Sequence, residues 1–162
     1  YVKNLEGAEE TVSACRAHGV DSFAVQGDVS KDIDCREMVK AAIERWGRLD
    51  VLVNNAAVTK TVPGADLEGL TAEDFLEIYS VNVVGNFQMT RAAAPHLRKT
   101  GDAAVVNISS LGALIGDGSS IAYAASKGGC PSSHEWSECR TPGEQVFPKV
   151  QGGRLPLGKD LH

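Results

Sequence analysis

Short apolar runs alternate with amphipathic helical patterns along most of the chain, and this alternation restricts the fold more than any other feature. Three strand-like runs lie at residues 20–26, 49–53 and 103–108. Around them, apolar residues recur every three or four positions, which indicates helices packed on one side. Strands that alternate with helices are typical of crossover connections, which give a parallel sheet covered by helices on both faces. We therefore predict an α/β fold with a doubly wound, Rossmann-like parallel sheet.

Local signals indicate where the helices begin. A first helical pattern covers residues 4–18, and Ser30 is the expected N-cap of the next helix. Residues 71–74 have the spacing of a capping box, with Asp in place of Glu or Gln. A long helix is predicted to follow over residues 75–96, bent near its middle, and a last helix to begin near Ile121.

The composition excludes several classes of protein. The chain has 162 residues, a net charge of −5 and no basic run, so neither nucleic acid nor an anionic membrane is an expected partner. No apolar stretch approaches the roughly 20 residues that cross a bilayer. The first residue is Tyr1, no signal peptide follows, and the four cysteines form no CxxC pair. We expect a cytoplasmic protein with reduced thiols, no metal site, and an incomplete N-terminus.

The pattern changes after residue 129. Residues 130–162 contain four prolines and scattered charges, without a helical stripe or a convincing strand. We predict that residues 1–129 form the folded domain and that residues 130–162 are an irregular tail.

Tyr123 and Lys127 are four residues apart, which places both side chains on one face of the last predicted helix. An ammonium group near a phenol favours the phenolate and lowers the pKa of tyrosine from about 10. A tyrosine tuned in this way can exchange a proton with a substrate oxygen. The same spacing more often joins a packed Tyr to a solvated Lys, so the pair alone does not establish a function.

Other polar residues follow the strand-like runs. Ser110 ends the third run, at the edge where parallel sheets bind ligands, and its hydroxyl can stabilise charge on a carbonyl oxygen or simply cap a turn. Residues 54–57, Asn-Asn-Ala-Ala, end the second run and suit either a flat ligand or an ordinary turn. Asn82 lies inside the long helix, where Asn is a mildly poor choice, so it either packs, holds a water molecule or faces solvent.

In combination, these segments resemble the short-chain dehydrogenase/reductase family. The matching segments are Gly27-Asp28-Val29-Ser30, Leu52-Val53-Asn54-Asn55-Ala56-Ala57, Val81-Asn82-Val83, Val105-Val106-Asn107-Ile108-Ser109-Ser110 and Tyr123-Ala-Ala-Ser-Lys127. Their order and separations fit the family over residues 1 to about 129, with Ser110 thirteen residues before Tyr123.

The resemblance implies four catalytic roles. Tyr123 would be the general acid/base and would also contact the cofactor, and Lys127 would lower the pKa of Tyr123 and hold the nicotinamide ribose. Ser110 would polarise the substrate carbonyl and Asn82 would keep a water molecule in a proton relay. Ser110 is chosen over Ser109 by its spacing to Tyr123.

The resemblance also implies a cofactor site for NAD or NADP. Asp28 and Val29 would lie at the adenine, and Asn55, Ala56 and Ala57 would lie along the cofactor, with Ala57 where the family usually has Gly. The segment that distinguishes NAD from NADP is not in this sequence, nor is the family's first strand with its glycine-rich turn. The choice between the two cofactors therefore stays open, and we expect an incomplete sheet.

The implied activity is that of an NAD(P)-dependent dehydrogenase/reductase (EC 1.1.1.-), which transfers a hydride between nicotinamide and a small ketone or secondary alcohol. Reduction of a 3-oxoacyl thioester is the leading variant, and full-length relatives form homodimers or homotetramers. One alternative is an inactive fragment or pseudoenzyme with only a binding or association role, because the glycine-rich turn is absent and Pro131 follows the Tyr-Lys helix closely. Another is a sugar-nucleotide epimerase, which uses the same Tyr-Lys spacing.

Overall fold

The fold consists of a small parallel sheet and helices packed around it. The computed structural model describes residues 1–116 and 118–129. Its strands are β1 (Val51–Asn54) and β2 (Ala104–Asn107), and its helices are α1 (Leu5–Ala17), α2 (Asp32–Trp46), α3 (Ala72–Tyr79), α4 (Asn86–Thr100), α5 (Gly112–Ile115) and α6 (Ile121–Gly128). A π-helical segment, Ser80–Gly85, joins α3 to α4. The predicted tail lies outside the described residues, so the boundary at residue 129 stays a prediction.

The two strands pair in parallel, as the alternation of elements predicts. The register runs from Val51 opposite Ala104 to Asn54 opposite Asn107. Because both strands end at the same edge, the Asn54 amide can donate to the Asn107 side-chain oxygen at 2.8 Å. That edge carries the polar residues that follow each strand.

The core lies between one face of the sheet and the helices α2 and α4. Leu52 and Val105 point to this face and pack with Ala93 and Leu97 of α4 and with Val39 of α2. On the other face, Val51, Val53 and Val106 are 53%, 55% and 42% exposed. The alternation along each strand thus follows the pleat, with successive side chains on opposite faces. Among the described residues, one face of the sheet is buried under helices.

Residues 20–26 are not a strand, contrary to the prediction. Tyr1 contacts this segment, where its amino group donates to the Val25 carbonyl at 3.0 Å and its carbonyl accepts from the Gly27 N–H at 2.9 Å. Two bonds to a single residue do not form a ladder, and a strand requires a neighbour that pairs along its length. The composition of the run is strand-like, but the described chain supplies no such neighbour.

Helix caps agree with the sequence in part. The capping box of Thr71 and Asp74 is present, with bonds in both directions. Ser30 is not the N-cap of α2, because the helix begins at Asp32, one residue later than this prediction requires. The Ser30 N–H and hydroxyl donate to the Asp28 carboxylate, at 3.0 and 2.7 Å. Lys31 occupies the cap position without a side-chain bond. The predicted long helix is interrupted by the π-helical segment, which ends at Gly85.

Candidate active site

Tyr123 and Lys127 lie on α6 in the arrangement that their spacing predicts. The helix begins at Ile121 because the Ser120 side chain caps it, accepting from the Tyr123 N–H at 3.2 Å. The Lys127 Nζ lies 5.9 Å from the centroid of the Tyr123 ring. A cation at this distance interacts favourably with the ring and with negative charge on its oxygen.

Lys127 is buried, which is unusual for a lysine, and its ammonium is hydrogen-bonded. The residue is 3% exposed, and its Nζ donates to the Ile108 carbonyl at 2.7 Å. A buried ammonium without a partner would be very unfavourable, and the carbonyl just beyond β2 supplies one. The end of β2 therefore determines where the cation sits.

Ser110 lies at the same end of β2, immediately before α5. Its Oγ accepts a hydrogen bond from the Gly112 N–H at 3.2 Å, and its carbonyl accepts from the Ala113 N–H at 3.1 Å. Accepting a bond does not use the hydroxyl hydrogen, so the group retains a donor for a substrate oxygen. The structure thus holds Ser110 through the turn that leads into α5.

Asn82 is fully buried in the π-helical segment and joins two parts of the site. Its Oδ1 accepts from the Val58 N–H at 2.8 Å, and its Nδ2 donates to the Val58 carbonyl at 3.0 Å. The same Nδ2 donates to the Ser126 hydroxyl at 2.9 Å, and that hydroxyl donates to the Tyr123 carbonyl at 2.7 Å. Asn82 therefore packs inside the protein and does not face solvent. Its predicted role of holding a water molecule stays a prediction.

Five of the seven predicted cofactor residues line one cavity of about 650 Å³, whereas Tyr123 and Lys127 are not part of its lining. Asp28 and Val29 come from the turn before α2, whereas Asn55, Ala56 and Ala57 come from the segment after β1. This volume is within the range of small-molecule sites. Val58 lines the same cavity, so Asn82 connects the cavity wall to the Tyr-Lys helix.

Several residues that the sequence analysis missed hold the turn at Val29. The Gln88 side chain donates to the Val29 carbonyl at 2.9 Å, and the Cys35 thiol donates to it at 3.3 Å. A Cβ on Gly85 would lie 2.7 Å from the Val29 side chain, so only glycine permits this approach. A glycine inside a predicted helix was the available signal, because glycine disfavours helices and needs another reason to be there.

Asp28 carries a negative charge at the edge of the cavity. The Ser30 hydroxyl and, next, the Ser30 backbone N–H donate to its carboxylate and hold the pKa of Asp28 below its usual range. The backbone N–H of Asp28 in turn donates to the Asp34 carboxylate of α2 at 2.9 Å. This network keeps the turn at the cavity edge in one conformation.

A family model described as short chain dehydrogenase matches residues 1–135. The chain belongs to this family. The resemblance of the motifs is therefore confirmed, and so is the Rossmann-like α/β class, because solved members of the family share the fold. A short-chain dehydrogenase/reductase of Burkholderia phymatum, solved in complex with NAD, superposes with a TM-score of 0.73 at 31% identity, covering 82% of this chain and 47% of that chain.

Curated relatives include proteins named as reductases. One from Streptomyces violaceoruber, named "Granaticin polyketide synthase putative ketoacyl reductase 2", is 46% identical over 127 residues, covering 78% of this chain and 49% of the relative. The 3-oxoacyl-(acyl-carrier-protein) reductase FabG of Staphylococcus aureus is 32% identical over 129 residues, covering 80% of this chain and 51% of the relative. This short-chain dehydrogenase sequence thus spans about half the length of the curated relatives it matches.

Within the part of this short-chain dehydrogenase that the structure describes, no group of three or more His, Cys, Asp or Glu side chains could hold a metal ion. None of its described helices has the length and apolar character needed to span a membrane.

Proposed function

We propose that this protein is an NAD(P)-dependent oxidoreductase that interconverts a ketone and a secondary alcohol, with Tyr123 as the general acid/base. The observation that carries the proposal is the buried Lys127, whose ammonium lies 5.9 Å from the Tyr123 ring on the same helix. A lysine that only solubilised the surface would not be buried against a backbone carbonyl. The arrangement suits a cation that acts on a neighbouring phenol.

Tyr123 and Ser110 would act together on the substrate oxygen. In the direction of reduction, the Tyr123 hydroxyl gives its proton to the oxygen as negative charge develops there. The Lys127 ammonium stabilises the phenolate that remains, and the Ser110 hydroxyl donates a hydrogen bond to the same substrate oxygen. In the direction of oxidation, the phenolate takes the proton from the alcohol.

Asn82 would position Tyr123 without touching the substrate. Its amide connects the Val58 backbone to Ser126, and Ser126 connects to the carbonyl of Tyr123. A network in which each buried polar group has a partner restricts side-chain motion. Restricted motion keeps the reacting groups aligned, which contributes to the rate.

The cavity beside Ala56 and Ala57 suits a nicotinamide dinucleotide, either NAD or NADP. Its small side chains leave the backbone accessible, and Asp28 presents a carboxylate that can accept a hydrogen bond from an amino group. The bound dinucleotide supplies the hydride, whereas the protein supplies position and proton. The NAD complex of the Burkholderia phymatum relative supports this assignment.

For the substrate, we propose a 3-oxoacyl thioester. The support comes from relatives whose names specify ketoacyl and 3-oxoacyl-(acyl-carrier-protein) reductases. A reductase of this kind would take a small-molecule thioester, and its full-length form would assemble as a homodimer or homotetramer, as the family resemblance implies.

The first experiment is cofactor binding followed by turnover. The purified chain is titrated with NADH and NADPH, and binding is read from nicotinamide fluorescence. Turnover is then measured with a 3-oxoacyl thioester. Absence of binding at millimolar cofactor would refute the proposal for this chain, whereas binding without turnover would favour the alternative of a binding or association role. Activity on a nucleoside-diphosphate sugar would instead favour an epimerase.

A tyrosine variant tests the acid/base assignment. Tyr123→Phe removes the only proton that the side chain can exchange, so we expect turnover to be lost while cofactor still binds. Tyr79→Phe, at the end of α3, is the matched control and should retain turnover. Near-normal turnover in Tyr123→Phe would overturn the assignment.

A further inference from the structure

The two residues that follow β2 contact both ends of Lys127. The Ile108 carbonyl accepts from the side-chain Nζ at 2.7 Å, and the Ser109 hydroxyl donates to the backbone carbonyl of Lys127 at 3.0 Å. Ser109 thus has a contact distinct from that of Ser110, whose hydroxyl oxygen accepts from Gly112 at 3.2 Å. Two adjacent serines therefore have different tasks at the same strand end.

The backbone carbonyl of Lys127 lies at the end of α6, where the regular helical donor is missing. In an α-helix, the carbonyl of residue 127 would accept from the N–H of residue 131. Residue 131 is proline, which has no N–H, and α6 ends at Gly128. The Gly129 N–H, which is shared with the Ala125 carbonyl, also donates to the Lys127 carbonyl. The carbonyls of a last helical turn depend on such partners, and the Ser109 hydroxyl is the one that comes from outside the helix and its cap.

The length of α6 increases the importance of this contact. The helix has eight residues, and Lys127 lies in its last turn. Isolated helices of this length are marginal in water, and their ends fray first. A bond from the end of β2 to the last turn opposes that fraying at the residue that carries the buried ammonium.

We propose that Ser109 is a positioning residue, which holds the last turn of α6 so that the Lys127 ammonium stays beside Tyr123. The effect of Ser109 on turnover rests on the proposed function, whereas its effect on the last turn of α6 does not. Without the Ser109 hydroxyl, the last turn opens more often, the Nζ leaves the Ile108 carbonyl, and the charge that stabilises the Tyr123 phenolate moves away.

The structural content is tested by chemical labelling of lysines. Purified wild type and Ser109→Ala are treated with acetic anhydride at one pH, and acetylation of each lysine is followed by mass spectrometry. Exposed Lys40 serves as the internal reference in every sample. The loss of one hydrogen bond predicts about a tenfold faster labelling of Lys127 relative to Lys40 in Ser109→Ala.

Three variants provide the controls. Ser109→Thr keeps a hydroxyl and is expected to restore slow labelling. Ser110→Ala removes the neighbouring hydroxyl and is expected to leave Lys127 protected. Urea unfolding of each variant establishes that the domain is folded under the labelling conditions, and if Ser109→Ala does not fold, Ser109→Cys, a weaker donor, takes its place. Equal labelling of Lys127 in wild type and in the folded variant overturns the proposal.

The catalytic consequence has a separate measurement. In Ser109→Ala, kcat for the 3-oxoacyl thioester should fall about tenfold with KM little changed, and Ser109→Thr should recover it. If the wild-type chain shows no turnover, the proposed function is contradicted. The structural role of Ser109 is then still decided by the labelling of Lys127. Faster labelling with an unchanged kcat would overturn the positioning role.

Discussion

Replacement of Asn82 by alanine should destabilise the protein substantially, although Asn82 is a polar residue. The side chain is fully buried and contacts Val58 twice and Ser126 once, at 2.8, 3.0 and 2.9 Å. Asn82→Ala removes all three of these bonds together and leaves no group of similar size in their place. The Val58 backbone and the Ser126 hydroxyl then lose these hydrogen bonds while they remain partly buried.

The magnitude follows from the number of bonds and from what can replace them. A typical intramolecular hydrogen bond contributes a net ~1 kcal/mol, so three bonds predict a loss of ~3 kcal/mol. The full penalty for buried unsatisfied groups does not apply, because Val58 is 37% exposed and water can reach its backbone, and Ser126 still bonds to the Tyr123 carbonyl. With a urea m-value of ~2 kcal/mol/M, the unfolding midpoint should fall by ~1.5 M.

The assay is equilibrium urea unfolding, monitored by circular dichroism, on wild type, Asn82→Ala and Asn55→Ala. Asn55 is exposed in the segment after β1, so its alanine variant should unfold within ~0.5 kcal/mol of wild type. A change below ~1 kcal/mol for Asn82→Ala would refute the reasoning, because it would mean that the three contacts do not stabilise the folded state.

Two other perturbations have defined outcomes. Gly85→Ala would place a Cβ 2.7 Å from the Val29 side chain and should destabilise the domain by ~1–3 kcal/mol in urea unfolding. Gly128→Ala is the control: nothing lies within 4 Å of the added carbon, so this variant should be neutral or stabilising. Equal effects of the two variants would contradict the close approach at Val29. The hydrogen bonds from Ser30 lower the pKa of Asp28 in the folded state. The ionised Asp28 therefore stabilises the fold at pH values above the ordinary aspartate pKa of about 4. This stabilisation is lost as the pH falls through that value towards the lower pKa of the folded state. Ser30→Ala should therefore lose less stability than wild type when urea midpoints are compared between neutral and acidic pH, while Ser13→Ala, on the exposed surface of α1, should behave as wild type.

Much of the site could be predicted from the order of short motifs. The Tyr-Lys spacing on α6, the serine after β2 and the small residues after β1 all lie where the sequence indicates, and the capping box of Thr71 and Asp74 is present. These features depend on contacts between residues near each other in the chain, or on the rule that parallel strands end at one edge. Their functional roles stay predictions until the variants are measured.

The errors have physical causes that a single sequence does not reveal. Residues 20–26 have strand-like composition, yet a strand also requires a neighbour that pairs along its length, and among the described residues the backbone pairing here is limited to Tyr1. Ser30 has the chemistry of an N-cap, but it belongs to the turn in which it donates to the Asp28 carboxylate, and α2 begins one residue too late for it, at Asp32. The π-helical segment replaces the middle of a continuous helix, where Gly85 packs closely on Val29.

The sequence by itself determined that Tyr123 and Lys127 share a helix face, because helical periodicity is a local property of the chain. Only the tertiary structure decided that the Lys127 ammonium meets the Ile108 carbonyl, nineteen residues away, and that Asn82 joins Val58 to Ser126 across separations of 24 and 44 residues. Such contacts depend on the path of the chain and on the register of its strands, where a shift of one residue turns each side chain to the other face. The candidate reacting groups can therefore be predicted from the sequence, whereas the hydrogen bonds that hold them in position depend on the tertiary structure.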